Sequence, residues 1–242
     1  MTLWFVVPAA GRGTRLGEEI PKQYLSLAGR PLIEHTLSRL LSLEGQLPLV
    51  SPSIVVVLGR DDRHWPASTF ATDPRILATP GGAERSDSVR AGLHLLADRA
   101  APDDWVLVHD VARPCITIGD IVRLVKVLGD DPVGGILAAP VSDTLKQVAQ
   151  HDRIRCTLER NHVWAALTPQ MFRYGLLCQA LDEAAAAGMA MTDESSAVEA
   201  LGLTPRVVMG RRDNIKITHR EDLVVAEAIL TYQQRHLQTE VP

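Results

Sequence analysis

The feature that most constrains the fold of this chain is the alternation of short apolar runs with helical patterns. Six runs rich in β-branched residues are predicted as strands: Leu3–Val7, Ser53–Leu58, Arg75–Ala78, Trp105–His109, Gly135–Pro140 and Arg206–Met209. Five stretches with helical spacing of apolar residues are predicted as helices: Pro31–Leu43, Arg85–Leu96, Ile118–Leu128, Tyr174–Ala187 and Arg220–Gln234. Strands that alternate with helices indicate an α/β chain with a mostly parallel sheet and crossover helices.

Length, charge and cysteine content narrow the class of protein. A chain of 242 residues suits a single domain spanning residues 1–242. A net charge of −4 argues against general binding to nucleic acid or to a membrane surface. No secretory signal pattern and no apolar run of about 18 residues is present, so we expect no membrane span. The three cysteines, Cys115, Cys156 and Cys178, lie far apart and without metal spacing, which predicts reduced thiols in a cytoplasmic protein.

A loop rich in glycine and cations follows the first predicted strand directly. It and the residues just after it contain three glycines and three cations: Gly11, Gly13, Gly17, Arg12, Arg15 and Lys22. Glycine lets backbone N–H groups approach an anion closely, and Arg and Lys add charge-assisted hydrogen bonds. The loop therefore predicts a polyphosphate site, the alternative being an ordinary strand-to-helix turn with solvated basic residues.

The loop differs from two better-known phosphate signatures. A Walker loop ends in Gly-Lys followed by Ser or Thr, which the stretch from Gly11 to Gly17 lacks. The dinucleotide fingerprint needs a third glycine where this chain has Leu16, and no acidic residue ends the second predicted strand. A nicotinamide-dependent dehydrogenase is therefore disfavoured.

A second informative stretch is LVHDVARPC, residues 107–115. Asp110 falls just past the carboxyl end of a predicted strand, where ligands bind in open α/β sheets. A carboxylate there, close to a phosphate loop, is placed to bind a Mg²⁺ that bridges phosphate oxygens. Arg113 follows and could contact an anionic substrate. The alternative is that Asp110 caps the next helix, but that helix is predicted to begin only at Ile118.

The stretch TPGGAERSDSVRAG, residues 79–92, combines a glycine turn with polar groups at the start of a helix. Gly81 and Gly82 predict a flexible turn, and Ser86, Asp87 and Ser88 supply groups suited to a nucleobase or ribose. Capping of the helix by Ser86 or Asp87 is the competing interpretation.

Further polar residues next to predicted turns are of the types that bind a second phosphate. They are Asp143, Thr144, Arg160, Thr168, Pro169, Gln170, Thr192, Asp193, Glu194, Asn214, Ile215 and Lys216. Spacing alone does not show that they converge. His109 and His162 have no metal or triad spacing, and both are interpreted as supporting residues.

Residues 141–166 break the alternation, being polar and strand-like. A hairpin with its turn around Gln150–Asp152 fits this pattern. Because an isolated hairpin is marginal in water, we expect this arm to rest on another surface, most simply a second subunit. The alternative is an edge hairpin that lies on its own domain.

Taken together, these motifs resemble the 2-C-methyl-D-erythritol 4-phosphate cytidylyltransferase family of the non-mevalonate isoprenoid pathway. The resemblance runs nearly end to end and rests on PAAGRGTRLGEEIPKQY, GGAERSDSVRAGL, VLVHDVARPC, APVSDTLK, ERNHVWAALTPQ, MTDESSAVEALG and DNIKIT. It implies a Rossmann-like nucleotidyltransferase fold and a homodimer in which the arm of one subunit reaches its neighbour. It also implies a reaction in which CTP and methylerythritol phosphate give the CDP-alcohol and pyrophosphate, with Mg²⁺ or another divalent cation.

The resemblance also implies roles for individual residues. It places Ala9, Ala10, Gly11, Gly82 and Ser88 around cytidine, with Gly13 in the same nucleotide loop. Arg15 and Lys22 would be catalytic, holding the CTP phosphates, and Asp110 would bind the metal near the substrate hydroxyls. The residues implied to hold methylerythritol phosphate are Asp110, Arg113, Thr144, Arg160, Thr168, Thr192 and Lys216, with Thr144 and Arg160 serving the neighbour's site.

One position departs from the family, and other functions remain open. Ala83 stands where relatives often carry a polar residue, so only a backbone contact to the nucleotide is expected there, and Arg12 receives no catalytic role. A cytidylyltransferase for another polyol phosphate, such as ribitol 5-phosphate, would share the nucleotide loop. A non-catalytic nucleotide-sensing module would not need Arg15, Lys22 and Asp110 together.

Overall fold

The computed structural model describes residues 2–11, 20–46 and 53–236 of the chain. The strands are β1 Leu3–Ala9, β2 Ser26–Leu27, β3 Arg30–Pro31, β4 Ser53–Leu58, β5 Ile76–Pro80, β6 Trp105–Val108, β7 Gly134–Pro140, β8 Lys146–Val148, β9 Ile154–Thr157, β10 Trp164–Arg173 and β11 Arg206–Met209. The α-helices are α1 Leu32–Leu41, α2 Arg85–Leu95, α3 Ile118–Leu128, α4 Tyr174–Ala186, α5 Glu194–Ala200 and α6 Glu221–His236.

A seven-stranded sheet in the order β11-β7-β10-β6-β1-β4-β5 forms the centre of the molecule. Strand β1 pairs in parallel with β4 and β6, β4 with β5, and β11 with β7. Strand β10 pairs antiparallel with both β6 and β7. The prediction of a mostly parallel sheet is therefore confirmed.

Strand β1 is buried on both faces, as expected for the centre of a parallel sheet. Leu3, Phe5 and Val7 belong to the core shared with α1, α3 and α6, whereas Val6 belongs to the core shared with α2, α4 and α5. The molecule thus has three layers, with helices on each side of the sheet. Among the described residues, no helix is both long and apolar enough to cross a membrane.

The order of the strands determines where a ligand can bind. After β1 the chain next joins this sheet at β4, toward the β5 edge. After β6 it next joins the sheet at β7, toward the opposite edge formed by β11. Adjacent strands whose connections run in opposite directions leave a crevice beyond their carboxyl ends, where open α/β sheets bind ligands. The residues after β1, from Ala10, and those after β6, from His109, therefore lie at the same opening.

Besides the short strands β2 and β3, the sequence predictions lacked β10 and α5. Strand β10 runs through the middle of the sheet although it contains Pro169, a residue rarely found in a central strand. A register shift between Ala166 and Gln170 accommodates that proline. Helix α5 has only seven residues, too few for a clear helical pattern, but the capping box of Asp193 and Ser196 marks its start.

The predicted hairpin within residues 141–166 is present as β8 and β9, which pair antiparallel. The turn between them contains Gln150–Asp152, as expected from the sequence. The arm ends before residue 166, the boundary that was predicted. Residues Trp164–Ala166 pair with Pro140–Ala138 of β7 and so belong to the central sheet.

Candidate active site

A cavity of about 450 Å³ opens beyond the carboxyl ends of β1 and β6. Its walls come from five segments of the chain that meet at the switch in strand order. The lining residues are Pro8, Ala9, Ala10, Gly11, Lys22, Gln23, Gly82, Ala83, Glu84, Arg85, Ser88, Asp110, Val111, Ala112, Lys216 and Thr218.

The predicted nucleotide residues that the structure describes come together on one side of this cavity. Ala9, Ala10 and Gly11 leave β1 opposite Gly82 and Ser88 at the start of α2, and all five line the cavity. Gly13 and Arg15 lie outside the described residues. The buried amide of Gln23, which the sequence analysis did not select, donates from Nε2 to the Ala9 carbonyl at 2.8 Å and so fixes the end of β1.

The two glycines of the GGAER turn allow close packing and do not adopt the left-handed backbone conformation that a flexible turn would suggest. A Cβ at Gly81 would lie 2.6 Å from Ser88 Oγ and 2.7 Å from Ala10 Cβ. A Cβ at Gly82 would lie 2.3 Å from the Cβ of Asp87. Glycine at position 81 therefore lets the two halves of the nucleotide wall approach each other.

In the Ser-Asp-Ser segment, Asp87 and Ser88 have different surroundings. Asp87 caps α2, because its Oδ2 accepts the backbone N–H of Glu84 at 3.2 Å. Ser88 lies one residue further along, is buried, lines the cavity and donates from Oγ to the Glu84 carbonyl at 3.2 Å.

Asp110 is the carboxylate at the centre of the cavity wall. Arg85 Nε donates to its Oδ1 at 2.9 Å, and Lys216 Nζ lies 2.8 Å from its Oδ2. Arg113 Nε lies 3.6 Å from the same Oδ2. Burial opposes ionisation of Asp110, but Arg85 and Lys216 outweigh it and hold the pKa of this carboxyl well below its usual range. Asp110 is therefore an anion throughout the physiological pH range.

His109 and Thr168 hold the backbone of Asp110 from behind. The Arg113 carbonyl lies 3.1 Å from His109 Nε2, so this nitrogen carries the proton and donates. The Thr168 hydroxyl then donates to Nδ1 at 2.9 Å and accepts the backbone N–H of Asp110 at 3.1 Å. Complete burial lowers the pKa of His109 to about 4, so the imidazole is neutral at neutral pH. The supporting role predicted for His109 is confirmed.

The segment around Lys216 is tied to the loop after β6. Arg113 Nη1 donates to the Asn214 carbonyl at 2.8 Å, and the Ile217 N–H donates to the Ala112 carbonyl at 2.8 Å. Lys22 Nζ in turn donates to the Ile217 carbonyl at 3.3 Å. These contacts bring Lys22, Asp110 and Lys216, which are widely spaced in the sequence, to one cavity.

Five of the seven predicted substrate residues do not line this cavity. Thr144 and Arg160 are exposed in the arm, where Arg160 donates to the Ser142 carbonyl. Thr192 is exposed beside Asp193, the first capping residue of α5. Thr168 and Arg113 support the cavity from behind Asp110 and are not among its lining residues.

Arg85 and Glu194 form an ion pair that sequence reasoning missed. Arg85 Nη1 and Nη2 donate to Glu194 Oε1 and Oε2 at 2.6 and 3.1 Å. Burial alone would lower the pKa of Arg85, but Glu194 and Asp110 outweigh it and raise that pKa above its usual range. The available signals were weak: Arg85 follows the GGAE turn, and Glu194 sits in a polar stretch whose partners lie far away in sequence.

The fit of a divalent cation can be judged from the ligands around Asp110. Within the described ranges, no group of three or more His, Cys, Asp or Glu side chains could hold a metal by itself. A single carboxylate on a phosphate-binding cavity still suits Mg²⁺, which is commonly held by one or two carboxylates together with substrate phosphates. Each Asp110 oxygen accepts one bond from a cation here and keeps a further lone pair.

Comparison with known proteins identifies relatives that share nearly the whole chain. Residues 3–232 match a family model described as IspD, 2-C-methyl-D-erythritol 4-phosphate cytidylyltransferase. A protein of that name from Ectopseudomonas mendocina (strain ymp) is 52% identical over 221 residues, which cover 91% of this chain and 92% of the relative. Another from Pseudomonas aeruginosa (strain UCBPP-PA14) is 50% identical over 222 residues, covering 91% of this chain and 93% of the relative.

Solved structures are similar as well. The crystal structure of Francisella tularensis 2-C-methyl-D-erythritol 4-phosphate cytidylyltransferase has a TM-score of 0.81 and 35% identity, and the match covers 95% of this chain and 100% of the other. The enzyme of the same name from Thermus thermophilus gives a TM-score of 0.74 and 30% identity over 96% of this chain and 100% of the other.

Proposed function

The chain belongs to the 2-C-methyl-D-erythritol 4-phosphate cytidylyltransferase family, and we propose that the cavity around Asp110 is its active site. The enzyme transfers the cytidylyl group of CTP to 2-C-methyl-D-erythritol 4-phosphate and releases pyrophosphate. The observation that carries the proposed location is that Lys22, Asp110 and Lys216 meet at one opening beside a glycine-rich nucleotide wall.

Cytidine occupies the wall formed by Ala9, Ala10, Gly11, Gly82 and Ser88. Backbone groups dominate there, and the close packing at Gly81 leaves room for a flat base but little for added side-chain atoms. The phosphates then point toward Lys22, whose charge suits a triphosphate, and Gly13 and Arg15 remain the further phosphate-binding residues that the sequence predicts.

The acceptor phosphate lies on the Lys216 side of the cavity. Lys216 is partly exposed and reaches Asp110, so it can turn toward a bound phosphate while Asp110 remains paired with Arg85. Arg113, Thr168 and Thr192 complete this side, Thr168 acting through the backbone of Asp110.

The reaction needs positioning more than a protein nucleophile. An oxygen of the acceptor phosphate forms a bond to the α-phosphorus of CTP as the bond to the bridging oxygen of the β-phosphate breaks. The electron pair leaves with pyrophosphate. Because both reactants are anions, the obstacle is mutual repulsion, which the charges of Arg15 and Lys22 offset as charge builds on the α-phosphoryl oxygens.

A divalent cation, Mg²⁺ or a substitute for it, would be held by Asp110 together with the substrate phosphates. When bound, it supplies Lewis-acid stabilisation of the phosphoryl charge. The protein's own part is to keep Asp110 ionised, which Arg85 and Lys216 do, and to fix its backbone through Thr168.

The arm formed by β8 and β9 joins two copies of the chain. Four large apolar side chains on residues 148–164 are exposed: Val148, Ile154, Leu158 and Trp164. Strands β8 and β9 are exposed along their whole length, which an isolated hairpin would not tolerate well. Seating the arm on a second copy would cover this surface and bring Thr144 and Arg160 to the partner's cavity.

The three cysteines form no disulfide, Cys115 being buried and Cys156 exposed. Free thiols of this kind support a reducing compartment such as the cytoplasm.

Pyrophosphate release tests the assignment directly. The protein is incubated with CTP and Mg²⁺, and either methylerythritol phosphate or ribitol 5-phosphate is added in parallel. We expect turnover with methylerythritol phosphate alone. Turnover with ribitol 5-phosphate alone would reassign the acceptor side of the cavity, and folded protein that binds CTP but turns over neither would indicate a nucleotide-sensing module.

A further inference from the structure

The ion pair between Arg85 and Glu194 connects three parts of the proposed active site. Arg85 is the first residue of α2, next to the nucleotide wall, and Glu194 is the first residue of α5, next to Thr192. The guanidinium bonds Glu194 with its two terminal nitrogens and Asp110 with Nε. A single side chain thus bridges the nucleotide side, the central carboxylate and the acceptor side.

Glu194 is held firmly enough to act as an anchor. Its side chain is 1% exposed, and it does not line the cavity. Gln170 of β10 fixes the residues on either side, since its Nε2 donates to Asp193 Oδ2 at 2.8 Å and its Oε1 accepts the Ser195 N–H at 2.9 Å. The position of Glu194 is therefore set by the centre of the sheet.

The charges explain why Arg85 needs such an anchor. Asp110 and Glu194 face three cations, Arg85, Arg113 and Lys216, so the cluster carries a net charge of +1. An arginine on the wall of a triphosphate cavity would otherwise turn toward the phosphates, because guanidinium binds them in the same bidentate way as it binds carboxylates. Glu194 takes one N–H from each terminal nitrogen, which turns the guanidinium toward Glu194 and presents Nε to Asp110.

We propose that Glu194 is a positioning residue, which locks Arg85 so that Arg85 orients the Asp110 carboxylate for the transfer step. This inference rests on the function proposed above. It assigns to Glu194 an effect on catalysis that passes through Arg85, although Glu194 touches neither substrate.

The bridging geometry makes a clear distinction between arginine and lysine. A lysine at position 85 would keep the charge, but a single ammonium cannot bond both Glu194 oxygens and Asp110 in this arrangement. If Arg85 supplied only charge, Lys would rescue it. If Arg85 positions Asp110, Lys would fail.

The test is a double-mutant cycle that compares wild type, Glu194→Gln, Arg85→Lys and the double variant. For each protein, kcat and KM are measured with CTP and methylerythritol phosphate. We expect each single variant to lower kcat about tenfold, because small misplacements of catalytic groups have effects of this size or larger. KM for CTP should change less than about threefold, since the nucleotide wall is untouched. The double variant should also lose about tenfold, because both changes break the same link.

The control is Arg90→Lys, the same substitution in the same helix, where Arg90 pairs with the exposed Asp182 at 2.9 Å. It should leave kcat unchanged, and thermal unfolding of all variants separates loss of folding from loss of catalysis. An Arg85→Lys enzyme with kcat within about twofold of wild type, or a double variant that loses about a hundredfold, would overturn the inference. Wild-type protein without turnover would instead contradict the proposed function itself.

Discussion

At the scale of single residues, the cavity concentrates charge around one carboxylate while leaving the reaction to substrate groups. Asp110 is surrounded by cations from three separate segments of the chain, and its backbone is held by Thr168. Lys22 enters from a fourth segment and donates to the Ile217 carbonyl, next to Lys216. Residues that lie far apart in the sequence, such as Lys22, Asp110 and Lys216, thus meet in one cavity.

Lys22→Ala tests the role of charge at the α-phosphoryl group. We expect kcat to fall about 10²–10³-fold, because the lost cation acts mainly on charge that develops in the transition state. Steady-state kinetics, with CTP binding measured separately by calorimetry, distinguish this from weaker substrate binding. Lys126→Ala, which removes an exposed lysine from α3, is the matched control. A loss confined to KM would contradict the assigned role.

The buried His109 predicts a particular dependence of stability on pH. Its pKa is lowered to about 4 by burial, against an ordinary value near 6.5 in the unfolded chain. Between these values the unfolded chain binds a proton that the folded protein does not, so the folded state loses stability as pH falls. From about pH 7 to about pH 5 this amounts to about 2 kcal/mol.

Urea unfolding of wild type and His109→Gln at those two pH values measures the effect. The variant shares all other titrating groups, so wild type should lose about 2 kcal/mol more than the variant on acidification. Equal losses in the two proteins would show that His109 does not titrate in this way.

At the scale of elements, the close approach of α2 to the end of β1 shapes the nucleotide wall. A Cβ at Gly81 would meet Ser88 Oγ at 2.6 Å and Ala10 Cβ at 2.7 Å, both of them part of that wall. Ala10 Cβ cannot rotate away, and turning Ser88 Oγ aside would break its hydrogen bond to the Glu84 carbonyl.

Gly81→Ala should therefore raise KM for CTP about tenfold, in line with the destabilisation caused by overpacking of about 1–3 kcal/mol. Gly119→Ala in α3 serves as control, since its Cβ would find nothing nearer than Thr117 Oγ1 at 3.9 Å. If Gly81→Ala bound CTP as tightly as wild type, the packing argument for this wall would fail.

Elements with strong patterns were predictable from the sequence, whereas those that depend on distant contacts were not. Strand β4 was predicted to the residue because its β-branched residues are buried on both faces. Strand β10 was missed because Thr168, Pro169 and Gln170 look like a turn until their hydrogen bonds to other segments are known. Asp110 was found from its place after a strand, but the pairing of Arg85 with Glu194 spans 109 residues and leaves no local signal.

At the scale of the whole molecule, the strand order creates the cavity, and in the proposed dimer the arm would leave part of the acceptor site to a second copy. Thr144 and Arg160 lie in the exposed arm of their own chain and do not line its cavity. If the arm reaches a partner, each complete site contains Lys22 from one chain and Arg160 from the other.

Mixing two impaired variants tests this arrangement. In a dimer that combines Lys22→Ala with Arg160→Ala, one of the two sites contains both native residues. Refolding the variants together in equal amounts should restore about a quarter of wild-type activity, since half of the dimers are mixed. No recovery in mixed dimers, or a monomer by light scattering, would refute the shared site.

The central claim is that the cavity positions two phosphates for direct transfer without a covalent enzyme intermediate. The measurement that tests it most directly is the configuration at phosphorus when the enzyme uses CTP with sulfur at a single stereochemical position on the α-phosphorus. A single in-line attack by methylerythritol phosphate predicts inversion in the CDP-alcohol product. Retention would require two successive displacements through a protein nucleophile and would contradict the account.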